Sequence, residues 1–205
     1  RDDRATQPLL LLPQKFGGLE HLLVLLTRSN DPLFELRGRH DVIVILDDNR
    51  ARRMREIDVP SVDEITNPTW SPDGRTIACT GLSGGVPDLY VLDLETEEAT
   101  KLTDDKFTEL HPAYSPDGGQ IAFSTDRGPE TDIERLTYGP YRLATIDVAT
   151  RNIDLLPDFG AEKSINPQWN EDGDELFFIS NRTGIANLYR VELSSQQLFQ
   201  VTDLF

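Results

Sequence analysis

Any chemistry in this 205-residue chain rests on a small set of side chains. "GLSGG" at 81–85 satisfies G-x-S-x-G, a pattern that exposes a serine nucleophile, here Ser83, on a sharp turn. That turn works between a strand and a helix, with a histidine base in reach. Here a strand-like stretch follows at once, "DLYVLD" at 88–93. Of the three histidines, His21, His40 and His111, only His111 lies downstream. "NEDGDE" at 170–175 has the look of an Asp-rich calcium loop. It lacks the twelve-residue ligand spacing and the closing glutamate. One cysteine, Cys79, excludes an internal disulfide and a multi-cysteine zinc site. There is no H-E-x-x-H and no phosphate-binding glycine loop. The expectation is no catalytic residue, no metal and no cofactor within this chain.

The aspartates that remain belong to a repeat. "NPTWSPDGRTIAC" at 67–79 returns as "HPAYSPDGGQIAF" at 111–123 and as "NPQWNEDGDELFF" at 166–178. A catalytic site is usually built once, whereas a folding unit recurs. Trp70, Tyr114 and Trp169 each stand two residues after a proline, Pro68, Pro112 or Pro167. Turn-formers follow: Pro72, Asp73 and Gly74; Pro116, Asp117 and Gly118; Asp172 and Gly173. Proline presets φ, aspartate bonds its own backbone, and glycine supplies a positive φ. Asp73, Asp117 and Asp172 are therefore expected to serve hairpins, not metal.

The elements around these turns are short and β-like. Second strands are predicted at 76–80, 120–124 and 175–179, and third strands at 88–93, 142–147 and 187–192. Fourth strands follow at 99–103, 152–157 and 198–202. Nothing in the repeat sustains a helical period. Cys79 aligns with Phe123 and Phe178, which predicts a small buried apolar side chain. Upstream, "VIVILD" at 42–47 matches a third strand, "MREIDVP" at 54–60 a fourth, and "HLLVLLTRSN" at 21–30 a second. "LLLLPQKF" at 9–16 resembles a fourth-strand exit, without a fixed register before about residue 40. The expected units are a degenerate 1–60, then 61–105, 106–160 and 161–205.

A formal charge of −16, from 36 acidic and 20 basic side chains, opposes binding to nucleic acid or to an anionic membrane. It suits a solvated acidic surface, or one that meets cationic partners. No apolar run approaches the roughly 20 residues that cross a bilayer, so no membrane insertion is expected. The chain opens at Arg1 without a signal-peptide pattern, which decides nothing about export.

Four-stranded units at this spacing, Pro68 to Pro112 being 44 residues and Pro112 to Pro167 being 55, are blades of an all-β propeller. The wording "NPTWSPDGRTIACTG…DLYVLDLET…KLT" resembles the TolB-type, WD-like propeller repeat P-x-W-S-P-D-G over roughly residues 40–205. Departures are Tyr114 for tryptophan, "NEDG" for "SPDG", and no glycine after Thr96. The resemblance implies about four blades, where such families usually close with six or seven. It also implies a periplasmic or secreted setting and a recognition role toward a protein, a peptide or another domain of the same polypeptide. Similar blades stand beside peptidase domains, so an accessory, substrate-filtering propeller is the alternative. Catalysis inside the propeller, as in some lyases, would need a histidine-rich metal site that three scattered histidines do not supply.

In such a propeller the second-to-third-strand loops and the connections to the next blade share one face. Here that face would carry 80–88, 103–111, 125–142 and 180–187. Ile121 and Asp147 are 26 positions apart, against 16 for Ile77 to Asp93 and for Leu176 to Glu192. The ten extra residues mark a place where function is grafted onto a repeat. Candidate contact residues there are Asp126, Arg127, Glu130, Asp132, Glu134, Arg135, Tyr138 and Tyr141. Asp104, Asp105, Phe107, Glu109 and His111 join them from the preceding connection, and Asn181 and Arg182 from the last blade. Mixed charges with tyrosines suit protein or peptide recognition.

Overall fold

The computed structural model describes residues 22–28, 41–47, 52–160 and 163–204. It is all-β, with no helix among the described residues. A first blade contains β1 (Leu22–Arg28), β2 (Asp41–Asp47) and β3 (Arg52–Asp58), paired antiparallel in that order. The second contains β4 (Glu64–Trp70), β5 (Thr76–Ser83), β6 (Val86–Asp93) and β7 (Ala99–Lys101). The third contains β8 (Glu109–Tyr114), β9 (Gln120–Thr125), β10 (Arg142–Asp147) and β11 (Ile153–Leu155). The fourth contains β12 (Ser164–Trp169), β13 (Glu175–Ser180), β14 (Asn187–Glu192) and β15 (Leu198–Gln200). In each blade sequential strands are neighbours. Of the stretches at 21–30, 42–47 and 54–60, residues 22–28, 42–47 and 54–58 lie in β1, β2 and β3, and the match at 9–16 lies outside the described residues.

Side-chain alternation explains why the middle strands read as apolar runs. Ile77 and Cys79 of β5 join Ile43, Ile45 and Ile57 of the first blade in one core, while Ala78 points the other way, into the core shared with Ile121 and Phe123 of β9. Ala122 of β9 in turn packs with Leu176 and Phe178 of β13. Each middle sheet is thus buried on both faces. Filling these gaps with Phe123 or Phe178 is worth about 1.5–3 kcal/mol per side chain. Cys79 is buried in this packing, and burial pushes its thiol up to about 12.

Trp70, Tyr114 and Trp169 close β4, β8 and β12 in equivalent places, opposite Ile77, Ile121 and Leu176. Two of them tie one blade to the one before. The Trp169 indole N–H donates to Ala113 O at 2.9 Å, and the Tyr114 and Thr76 hydroxyls lie 3.0 Å apart. A bulge interrupts each first strand, at Thr66/Thr69, Leu110/Ala113 and Ile165/Gln168. It puts Asn67, His111 and Asn166 at positive φ, 50°, 55° and 56°.

The Asp-Gly turns follow their predicted chemistry in two copies of three. Ser71 Oγ donates to Asp73 Oδ1 at 2.7 Å, the Arg75 amide donates to the same oxygen at 3.0 Å, and Gly74 takes φ 71°. Ser115, Asp117, Gly119 and Gly118 repeat the arrangement. The Ser71 hydroxyl first, then the Arg75 amide, hold the Asp73 carboxyl below its usual range, and Ser115 with Gly119 does the same for Asp117. The third copy differs. Asn170 replaces the serine, accepts the Asp174 and Glu175 amides, and donates to Asp174 Oδ1. Asp174 therefore takes the place of Asp172 as the turn's paired carboxylate. The fourth strands are also shorter than predicted, three residues each. The next residue still bonds the third strand: Leu102 to Leu89 O, Leu156 to Leu143 O and Val201 to Leu188 O.

Candidate binding face

One edge of the blades gathers the β5–β6 turn, the β7–β8 connection, the long β9–β10 loop and the β13–β14 turn. The first is tighter than predicted. Of 80–88 only Gly84 and Gly85 leave the strands, at φ 78° and 105°, because two successive positive φ values make the compact hairpin turn. This accounts for the G-x-S-x-G match. A Cβ on Gly81 would meet the Tyr90 ring at 2.6 Å and Val62 at 2.9 Å, so the first glycine of the match is a packing residue. A strand follows the serine where a nucleophile elbow needs a helix.

Beneath this edge lies a buried polar cluster. Glu109 opens β8 and is fully buried, with Asp88 and Asp126 each 2% exposed. Thr103 sits between two of these acids. Its Oγ1 accepts the Leu89 amide at 2.9 Å and lies 3.2 Å from Asp88 Oδ1 and 2.9 Å from Glu109 Oε2. One hydroxyl proton cannot serve two carboxylates. A neutral Glu109 that donates to Thr103, which donates to Asp88, satisfies all three groups. Burial, and after it the charges of Asp105 and Asp88, push Glu109 up to about 7, against the pull of Thr103 and Arg127. Asp88 is also raised by burial although Lys101 stands 2.8 Å away. Lys101, shared with Asp104 at 2.6 Å, is held above its usual range by both carboxylates, Asp104 first.

Cations complete the cluster and pin the loops to it. Arg127 Nη2 lies 3.0 Å from Glu109 Oε1 and 2.7 Å from Asp105 Oδ2, and its guanidinium sits 4.6 Å from the Phe107 ring centroid. The Thr108 amide donates to Asp126 Oδ1 at 2.8 Å, and Lys106 Nζ reaches Thr131 O at 3.4 Å. Thr131 is buried, donates to Asp126 O at 2.6 Å and accepts the Gly139 amide at 2.8 Å. The loop 126–141 is thereby closed at its base.

The predicted contact residues divide between this base and the surface. Glu109 and Asp126 belong to the base. Tyr141 is half-buried there, its carbonyl accepting the Ser164 amide at 2.9 Å, and the Lys163 amide donates to Asn181 Oδ1 at 3.0 Å. His111 is half-buried in β8, and burial, then Lys163, hold its imidazole below the usual range. Glu130, Glu134, Arg135 and Tyr138 are exposed on the loop, Asp104 and Asp105 on the β7–β8 connection and Arg182 on the β13–β14 turn, while Asp132 caps the loop's tip. Ile133 and Leu136, exposed beside Tyr138, were not among the predicted contacts, because neither carries a charge or an aromatic ring. Among the described residues no group of three or more His, Cys, Asp and Glu is arranged to hold a metal ion.

A family model described as the TolB beta propeller domain matches residues 37–140, half of the chain. The chain belongs to the TolB β-propeller family. It is 36% identical over 80 residues to the Tol-Pal system protein TolB of Francisella tularensis, covering 39% of this chain and 18% of that protein. It is 30% identical over 145 residues to the uncharacterized peptidase YuxL of Bacillus subtilis, covering 58% of this chain and 22% of that one. A TolB-like protein of Agrobacterium tumefaciens superposes with a TM-score of 0.72 at 18% identity, over 96% of this chain and 63% of its own, a likeness of fold. The chain thus spans under a quarter of the first two proteins and under two thirds of the third.

Proposed function

We propose that this TolB-type propeller is a protein- or peptide-binding module of a bacterial envelope or secreted protein, working through the edge that carries loop 126–141. One observation carries the reading: the long loop is locked at its base by Asp126, Arg127 and Thr131 yet holds its middle out in solvent. A rigid, exposed insertion lowers the ordering cost of binding. The units 61–105, 106–160 and 161–205 serve as its scaffold. Asp104, Phe107, Glu130, Arg135, Tyr138 and Arg182 are the candidate contacts on this face.

Likeness to the B. subtilis peptidase supports a second reading, in which the same face positions substrate for a catalytic domain of the same polypeptide. One experiment addresses both. In the full-length protein, residues 133–136 are replaced by Asn-Gly, which keeps the Asp132–Thr137 pairing and removes the tip. Loss of a separate protein from affinity purification, with the fold intact, supports the binding module. Unchanged association, with altered selectivity among peptide substrates of different length, supports the accessory role. A variant unchanged in both respects would refute this face as the site.

A further inference from the structure

The tip of loop 126–141 presents leucine where turns of the same shape elsewhere present polar residues. Asp132 and Thr137 exchange both backbone hydrogen bonds, at 2.9 and 3.0 Å, around the turn Ile133 to Leu136. The Asp132 carboxylate accepts the Glu134 and Arg135 amides, the cap that Asp93 and Asp147 give their own turns. In the three third-to-fourth-strand turns the residue with positive φ is Glu97, Arg151 or Gln196; at this tip it is Leu136, at φ 54°. That conformation is disfavoured for any side chain with a Cβ and is shared by all four turns, so what sets this tip apart is the exposed apolar side chain it carries. Leu136 is 71% exposed, and beside it Tyr138 is 64% and Ile133 39% exposed.

The collar around this apolar tip is acidic. Glu130, Asp132 and Glu134 flank it against Arg135, whose Nε lies 3.6 Å from Asp132 Oδ2. Neither Glu130 nor Glu134 has an ion-pair partner among the described residues. With the chain at −16, this collar disfavours an anionic bilayer and complements a cationic rim.

We infer that Leu136, with Ile133 and Tyr138, is a plug that enters an apolar pocket of a partner protein whose rim carries lysine or arginine. The inference rests on the binding-module reading and names the anchor and the partner's chemistry. A central apolar anchor within a charged collar is the usual anatomy of a binding hot spot. The turn holds the leucine in place before the partner arrives, so little ordering remains to oppose association.

The test places a photoreactive benzophenone amino acid at position 136, 107 or 151 of the full-length protein in its own cells. Position 151 lies in the β10–β11 turn, away from the binding face. The expected result is one protein adduct, strong from 136 and absent from 151, mapping to an apolar segment flanked by Lys or Arg. With that partner purified, Leu136→Asn and Leu136→Gly should weaken binding by more than about tenfold. Both should also raise the melting temperature, because Asn and Gly accept the left-handed conformation. A merely structural leucine would not move these two readouts in opposite directions. Glu130→Lys with Glu134→Lys should slow association and flatten its salt dependence. Adducts to lipid alone, or unchanged affinity in Leu136→Asn, overturn the plug. Adducts from 107 but not 136 overturn it while leaving the binding face standing. No adduct above the 151 control at either position overturns both.

Discussion

Replacing Glu109 with glutamine should change how the stability of this propeller depends on pH. Glu109 is fully buried, and its carboxyl is pushed from 4.5 up to about 7, chiefly by burial. Between those values the unfolded chain loses this proton while the folded chain keeps it, so stability falls as pH rises across the window and levels off above it. The gap corresponds to about 3 kcal/mol, some of it shared with Asp88 through Thr103. Glutamine can donate to Thr103 as the neutral acid does, and Arg127 keeps Asp105 at 2.7 Å. Urea unfolding at intervals from pH 5 to pH 8 is the assay. Glu109→Gln should lie within about 1 kcal/mol of the parent at pH 5 and gain about 2–3 kcal/mol on it by pH 8. His111 has a depressed imidazole, so its contribution is lost as pH falls through the ordinary histidine range. That contribution is common to both proteins and cancels in the difference. Parallel stability curves across the range would refute the reasoning, because the buried carboxyl would then titrate as an exposed one.

Arg151→Gly should stabilise the chain by about 1 kcal/mol, a rise of about 2–4 °C in melting temperature, because an exposed arginine holds φ 62° there; no rise would mean that the turn carries no strain. Gly81→Ala should cost about 1–3 kcal/mol in urea unfolding, since its methyl would sit 2.6 Å from the Tyr90 ring, and an unchanged midpoint would show that the ring gives way freely. Trp169→Phe keeps most of the ring but removes the 2.9 Å bond to Ala113 O; it should cost about 1 kcal/mol or more, and a neutral effect would deny that this bond couples the third and fourth blades.

The blades were legible because their signals are local and recur. A proline, an aromatic two residues on and a Pro-Asp-Gly turn set the register by sequence distance alone, and Trp70, Tyr114 and Trp169 end equivalent strands. The long loop was legible as a departure from that distance. The third Asp-Gly turn was misread in one particular. Once Asn170 stands in for serine, its amide side chain supplies both an acceptor and a donor, and the donor reaches Asp174. A motif match fixes the turn without fixing which carboxylate pairs.

The geometry of the candidate face was legible only in outline, because its base is made by contacts between residues far apart in the chain. Glu109 read as one more charge beside Asp104 and Asp105. It is buried because β8 begins there, carrying its side chain under Thr103 and Thr125 and toward Arg127. His111 drew notice as a rare histidine, yet it occupies the same bulge position as Asn67 and Asn166, at nearly the same positive φ. Histidine and asparagine are among the residues that tolerate that conformation, so the backbone accounts for the residue type there. Leu136 is the converse case. Its backbone slot favours glycine or asparagine, its exposure favours a polar residue, and the chain places leucine there all the same. Where local conformation and solvent agree on one kind of residue and the sequence holds another, stability is not what selects it. The proposed plug accounts for Leu136, as backbone geometry accounts for His111.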